Sequence, residues 1–225
     1  MSVGYGTSLV NDSLVFCLDA ANPKSYIGDG DWYDLIKDNN GTNYGPTYSS
    51  DYGGIFLFDR ASSHYFYIGN PAELSLGSNF TVEAWGRADA DAWMYFLYNG
   101  YNQNNSFWMG THPTANAWWH GTYYNTSYNY LSNGTDSVEI GVWTRCALTF
   151  DGAKFNCYIN KEHTVTDDLW SNDAFSNPST GIQIGSSSGS RAWEGAIAVI
   201  KVYNTVLSEI ELDRNYDALK GRFGL

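Results

Sequence analysis

Basic residues are scarce: 12 Lys and Arg stand against 24 Asp and Glu, and charged residues make up only 16% of the 225-residue chain. With a formal net charge of −12 and no Lys/Arg cluster, the chain is repelled by phosphate backbones and anionic lipid surfaces, so neither nucleic acid nor membrane is an expected partner. Long apolar runs are missing as well. No stretch approaches the roughly 18 residues of a membrane-crossing helix, and the opening MSVGYGTSLV lacks the basic and apolar regions of an export signal. Export by a signal peptide is therefore not expected. Three cysteines are too few, and an odd number, for a disulfide scaffold. No C-x-x-C spacing offers zinc or redox chemistry. Helical periodicity is absent until the last segment.

Aromatic residues, by contrast, are plentiful: 9 Trp, 18 Tyr and 11 Phe amount to 17% of the chain. They supply enough apolar surface to offset the conformational entropy of folding, while Asn, Ser, Thr and Gly carry the solvation that charge does not. Short β-branched and aromatic runs separated by Gly, Asn, Asp and Ser recur at 13–18, 55–59, 64–69, 79–87, 92–99, 106–110, 118–124, 142–150, 153–160, 181–185 and 194–203. No linker or internal repeat interrupts them. The fold class expected is all-β, a two-sheet antiparallel sandwich closed by a short C-terminal helix.

Two local signals are sharp. Asp151-Gly152 between two alternating runs reads as a two-residue hairpin turn. That register puts Cys146, Leu148, Phe150, Ala153, Phe155, Cys157 and Ile159 on one face and Arg145, Thr149, Lys154 and Asn156 on the other. It also sets Cys146 opposite Cys157 at a separation that allows a disulfide. Two free thiols packed in the core is the preferred reading, given the missing export signal. At the C-terminus the period changes to 3.6. Ser208 caps, Glu211 completes a capping box, Leu207 and Leu212 form a hydrophobic staple, and Gly221 ends the helix in the left-handed conformation. Ile210, Leu212, Tyr216 and Leu219 offer the apolar face.

The run Leu14 to Asp19 with Ala20-Ala21-Asn22-Pro23-Lys24-Ser25-Tyr26, then Trp32-Tyr33-Asp34-Leu35 and Asn39-Asn40-Gly41-Thr42, resembles the opening of laminin G-like domains of the concanavalin A-like jelly-roll fold. Phe58-Asp59, Phe80 to Trp85, Trp143, Thr149 to Gly152 and Tyr158-Ile159-Asn160 agree with it. The closing stretch, from Tyr203-Asn204 through Leu207-Ser208, Glu211, Asn215 and Ala218-Leu219 to Gly221-Arg222-Phe223-Gly224-Leu225, resembles the branch found in virion proteins of tailed bacteriophages. The resemblance implies one jelly-roll domain over 1–225, with an N-terminal arm at 1–12 and a terminal helix at 208–220. It implies a non-enzymatic structural, decoration or fibre component of the virion, assembled in the host cytoplasm. Expected partners are other capsid or tail proteins and host-surface glycans, with the chain oligomeric or bound to an assembly. A carbohydrate-binding module of a bacterial surface protein is the alternative, and a glucanase-like hydrolase the third reading.

Four places in the chain offer candidate chemistry. Gly185-Ser186-Ser187-Ser188-Gly189 matches G-x-S-x-G, but a strand follows it and all four His (64, 112, 120 and 163) precede it, so it reads as a loop. A glycosidase needs two carboxylates flanking the bond; Glu83 is the one strand carboxylate in position, its neighbours Trp85 and Arg87 are not acids, and pairing with a basic side chain or hydroxyl is its expected role. Asp29, Asp31 and Asp34 form an acidic loop that offers hard oxygens to calcium, with Asp59, Asp89 and Asp91 as fallbacks, though no cofactor is required and a solvated loop is the simpler reading. Trp93 to Tyr130 is the richest aromatic stretch. Rings there suit stacking on sugars or burial at a protein contact. Alternation sends one ring of each adjacent pair inward, so about half are packing. Trp108, Trp118, Trp119, Tyr123, Tyr124, Tyr128 and Tyr130 are the candidate contact residues, while His112 and His120 read as loop residues. The six N-x-S/T sequons follow from the composition and imply no glycosylation.

Overall fold

The computed structural model describes residues 8–100, 106–113, 117–124, 127–167, 181–186 and 190–225, with the backbone alone described at 117, 119, 122–124, 127–137 and 167. In chain order the strands are β1 (Leu14–Asp19), β2 (Thr42–Tyr44), β3 (Thr47–Ser49), β4 (Ile55–Phe58), β5 (Tyr65–Gly69), β6 (Phe80–Ala88), β7 (Met94–Asn99), β8 (Ser106–His112), β9 (Ala117–Tyr124), β10 (Ser127–Ser137), β11 (Trp143–Phe150), β12 (Phe155–Ile159), β13 (Glu162–Asp167), β14 (Ile182–Ile184) and β15 (Gly195–Tyr203). Helix α1 (Glu209–Leu219) follows. Sheet one runs β13-β12-β11-β6-β15-β4-β3. Along its far edge β15 pairs with β4 through Gly195–Ile197 and with β1 through Val199–Tyr203. Sheet two runs β10-β9-β8-β7-β14-β5-β2. Every ladder among the described residues is antiparallel. The two-sheet antiparallel jelly roll with a terminal helix is thus present as expected.

Period-two alternation decides what lies between the sheets. From sheet one, Phe80, Val82 and Ala84 of β6 and Cys146, Leu148 and Phe150 of β11 join Phe66, Phe96, Phe107, Met109 and Trp118 of sheet two in a single core. Its rings meet edge to face, tilted or stacked: the Phe56 centroid is 4.9 Å from Trp32 and 4.7 Å from Phe66, and Phe150 stacks on Phe155 at 4.4 Å. Each such side chain contributes about 1.5–3 kcal/mol on burial.

The hairpin β11–β12 departs from the expected register by two residues: Cys146 faces Ile159, and Cys157 faces Leu148. The turn uses four residues rather than two. Asp151 Oδ1 accepts from the Ala153 N–H at 2.9 Å and the Lys154 N–H at 2.7 Å, which draws both out of the ladder and leaves Ala153 exposed. Because the slip is even, the remaining residues keep their faces. Both cysteines, and Cys17, are free and buried.

Sheet one is covered on its outer face too, which is why β6, β11 and β15 are buried almost throughout. Helix α1 begins as expected, with the Ser208–Glu211 capping box in place and Leu207 and Leu212 in one cluster. It ends differently. Lys220–Phe223 tighten into a 3-10 turn, and Gly224, not Gly221, takes the left-handed conformation (φ +78°). That extension lands the Phe223 ring 4.7 Å from Trp85 and 4.5 Å from Trp143. Ile210 is not on the docking face; it is 82% exposed. Asn215 takes the inner position instead and is fully buried.

Asn215 reaches a polar network sealed between sheet and helix. Arg145 donates to Glu83 Oε1 through Nε at 3.0 Å and Nη2 at 2.7 Å, to the Asn160 carbonyl at 2.5 Å and to the Leu212 carbonyl of the helix at 3.3 Å. Asn215 Nδ2 donates to Glu83 Oε2 at 2.5 Å and to the Tyr203 hydroxyl at 3.0 Å, while its Oδ1 accepts from the Val10 N–H at 2.8 Å. Lys201 pairs with Glu83 in register and is buried beside it. Burial pushes the Lys201 pKa down and the Glu83 charge pulls it back up. Cys17, opposite Lys201 in the ladder, has its thiol pushed up to about 12, chiefly by burial.

His112 and His120 are strand residues rather than loop residues, at the end of β8 and within β9. His120 is fully buried, and neither ring nitrogen has a hydrogen-bond partner. Burial alone pushes its pKa down from 6.5 to about 4.

Two stability measurements test this packing. Arg145→Met strands the Glu83 charge and should cost about 3–5 kcal/mol in urea unfolding. Glu83→Gln combined with Arg145→Met should cost less than Arg145→Met alone, because the amide keeps a bond to Asn215 without a buried charge; an equal or larger loss in the double variant contradicts this. For His120, the unfolded chain binds a proton near pH 6.5 that the folded chain refuses until about pH 4. Its share of stability is whole above pH 6.5 and declines as pH falls toward 4, by about 3 kcal/mol in total. Comparison of wild type with His120→Leu across that range should show the acid-side slope reduced in the variant.

Candidate functional site

The structure sorts the expected aromatic contacts by face. Trp118 of β9 points into the core, 6.4 Å from Phe96 and 6.2 Å from Trp193, and is 2% exposed. Trp108 of β8 lies on the opposite face of sheet two, clustered with Tyr95 and Tyr98, and is 1% exposed. Neither ring is open to a ligand: Trp118 is part of the core, and the middle of the outer face around Trp108 is itself packed. The side chains of Trp119, Tyr123, Tyr124, Tyr128 and Tyr130 lie outside the described residues, as does Ser187; the register sets Trp119 opposite Gly110 and Tyr123 opposite Ser106 in β8.

Two of the remaining candidates are engaged in the fold. Glu83, the candidate acid, is 2% exposed and ion-paired to Arg145, so no substrate oxygen reaches it. The acidic loop is not drawn together around a cation. Asp34 accepts from the N–H groups of Cys17 at 2.9 Å, Ile36 at 3.1 Å and Lys37 at 3.1 Å. Asp31 accepts from the Asn43 N–H at 2.9 Å, and Asp29 from the Tyr33 hydroxyl. Each carboxylate thus stitches a different piece of loop. Among the described residues no three His, Cys, Asp or Glu side chains group as a metal site requires. The fallback acids are similar: Asp59 accepts from the Ala61 and Ser62 N–H groups, and Asp89 holds Arg87 at 2.7 Å.

What the structure does assemble is a cleft at one end of the sandwich. It has a volume of about 430 Å³ and is lined by Arg60 and Ala61 from the β4–β5 loop, Ala90 from the β6–β7 loop, and Arg191, Ala192 and Glu194 from the β14–β15 loop. One side-chain and two backbone hydrogen bonds fix the three loops together: Glu194 Oε2 accepts from the Arg60 N–H, the Glu194 carbonyl from the Asp89 N–H, and the Arg191 carbonyl from the Tyr95 N–H, each at 2.9 Å. Arg191 has a left-handed backbone (φ +51°), an unfavourable conformation for a non-glycine residue and one that accumulates at functional sites. Its guanidinium sits 3.4 Å from the centroid of Trp93 and donates to the Tyr95 hydroxyl. Just beyond the β4–β5 loop, Tyr65 stacks on Tyr44 of β2 at 4.6 Å with nearly parallel planes, and Tyr44 is 49% exposed.

The sequence reading missed Arg60, Arg191, Glu194, Tyr44 and Tyr65. Two signals were there to be found. Tyr65-Phe66-Tyr67-Ile68 alternates, which puts two tyrosines on the face away from the core, and Arg191 and Glu194 flank Ala192-Trp193 in an otherwise neutral loop. Arg60, from a separate loop, carries no such signal.

With this geometry in hand, comparisons place the chain. Residues 60–213 match the family described as the concanavalin A-like lectin/glucanases superfamily, and the chain belongs to it. No curated protein matches it in sequence. Among solved structures it is similar to domain 4 of AbnA, a GH43 extracellular arabinanase from Geobacillus stearothermophilus, in complex with arabinotriose, at 14% identity and TM-score 0.68, over 92% of this chain and 98% of that one. It is similar also to the binding domain of botulinum neurotoxin DC in complex with SialylT, at 13% identity and TM-score 0.70, over 93% of this chain and 52% of that one. The binding domain of Paraclostridial Mosquitocidal Protein 1 gives 14% identity and TM-score 0.69, over 91% of this chain and 52% of that one. The chain therefore spans about half the length of these toxin domains and nearly the whole of the arabinanase domain. At such identities the likeness is one of fold.

Proposed function

From membership of that superfamily and from the cleft, we propose that the chain is a non-catalytic carbohydrate-binding module, carried on the virion of a tailed bacteriophage. The cleft is the observation that carries the binding role. Its alanines give an apolar wall for the C–H face of a sugar ring, its arginines and Glu194 surround that wall with groups for hydroxyls, and the exposed Tyr44–Tyr65 pair adds a stacking surface nearby. The arabinotriose complex supports this reading most directly, since that domain is matched over nearly its whole length. The toxin domains are about twice as long as the match, and their ligands bear on it less. The non-catalytic part rests on Glu83, which is sealed beneath the helix. The virion location rests on the phage-like closing stretch of the sequence.

A broad glycan array should give micromolar to millimolar hits. Ala61→Trp, which fills the cleft from an exposed loop position, should abolish them, and Tyr44→Ala should weaken them about tenfold, corresponding to about 1.4 kcal/mol. Incubation with the same glycans should release no reducing ends. An array without hits overturns the module, and absence of the protein from purified phage particles overturns its location.

A further inference from the structure

The cleft holds an unusual balance of charge for so acidic a chain. Among the described cations elsewhere, Arg87 holds Asp89, Arg145 holds Glu83, Lys161 and Lys220 hold Asp217, and Arg222 holds Asp19, while Arg214 donates to Ser8. Arg60 and Arg191 line one cleft together with a carboxylate, Glu194, and neither guanidinium pairs with it or with any other described acid. Glu194 instead accepts the Arg60 backbone N–H with Oε2. Arg191 is meanwhile held by its face. With its face over the indole and Nη1 donating to the Tyr95 hydroxyl, Arg191 keeps Nε and Nη2, the edge that grips a carboxylate with two parallel bonds, for an outside acceptor.

We propose, resting on the carbohydrate-binding reading above, that the cleft selects sugars bearing a carboxylate, such as a uronate or sialate, in preference to neutral ones. Arg191 and Arg60 take the acid group, the free Glu194 oxygen takes a ring or side-chain hydroxyl, and the alanines meet the C–H surface. Trp93 is a positioning residue that holds the Arg191 plane. Glu194 also disfavours a densely charged ligand: one carboxylate leaves a net attraction in the cleft, whereas a polyanion would bring charge against both Glu194 and the chain's overall negative field.

The test is calorimetric titration of the full chain with sialyllactose against lactose, galacturonate against galactose, and sulfated lactose as a third anion. The acidic member of each pair should bind at least tenfold more tightly at 50 mM salt, and the preference should shrink at 500 mM salt. Arg60→Gln, at an exposed position whose side chain forms no ion pair with a described acid, should lower acidic-glycan affinity about tenfold and neutral-glycan affinity by much less. Arg191→Gln should do the same, and circular dichroism will confirm that it folds. Equal binding of acidic and neutral partners, or no change in Arg60→Gln, overturns the acid preference while the module stands. Preference for sulfated lactose over sialyllactose overturns the carboxylate assignment. Binding of none of them, together with a blank array, overturns the module itself.

Discussion

The ion pair between Glu83 and Arg145 is the constraint around which the rest of this molecule is arranged. Two charges at the middle of a sheet face are tolerable only if every hydrogen-bonding position around them is filled and water is excluded on terms that keep them paired. Here the filling comes from three distant parts of the chain: Asn215 and the Leu212 carbonyl from the terminal helix, the Asn160 carbonyl from the turn after β12, and Tyr203 from the end of β15. The N-terminal arm is drawn in as well, since the Val10 N–H binds Asn215 and its carbonyl accepts from the Tyr203 hydroxyl. The helix is thus more than an apolar lid. Its polar contacts specify one docking position, and the apolar clusters on either side of the network, around Trp85 and around Leu212, supply the driving force.

This arrangement gives the phage-like closing stretch a structural account. Arg222 donates to the carbonyls of Tyr52 and Gly54 and pairs with Asp19 at 2.7 Å, and Phe223 stacks on Trp85. Leu207, Ser208, Glu211 and Asn215 are staple, cap and network. Residues that resemble a virion branch are therefore the ones that close the sandwich, and a resemblance carried by them speaks first to how the sheet is sealed.

How much was legible follows the same logic. Strands with full alternation, such as Phe80–Ala88 and Trp143–Phe150, were readable because one face of each is uniformly apolar. β2 and β3 were not, since three residues cannot display a period, and β10 and β13 were not, since SYNYLSNGTDS and EHTVTD are polar edge strands with no sustained apolar alternation. The hairpin slip turned on a single side chain, the Asp151 carboxylate capping two N–H groups, which no pattern of hydrophobicity records. The buried role of Arg145 was hidden for a different reason: alternation assigned it correctly to the outer face, but only tertiary packing reveals that the helix lies on that face. The cleft was the least legible feature, because its six lining residues come from three loops separated by up to 134 positions.

A sandwich has two outer faces, and the protein has closed one of them with its own C-terminus. The middle of the other is closed as well, since Tyr95, Tyr98 and Trp108 are each at most 3% exposed. The recognition proposed for this chain falls at the loop end, where hydrogen bonds tie the loops together, and at the tyrosines of the β2–β5 ladder. That placement has a chemical consequence. A sheet face offers rings and little else, whereas the loop end combines small apolar residues with guanidinium and carboxylate groups whose charges are not already neutralised by the fold. In a chain this poor in basic residues, two unmatched arginines in one cleft determine its character more than the many rings do, and the rings find their use in holding one of those arginines flat.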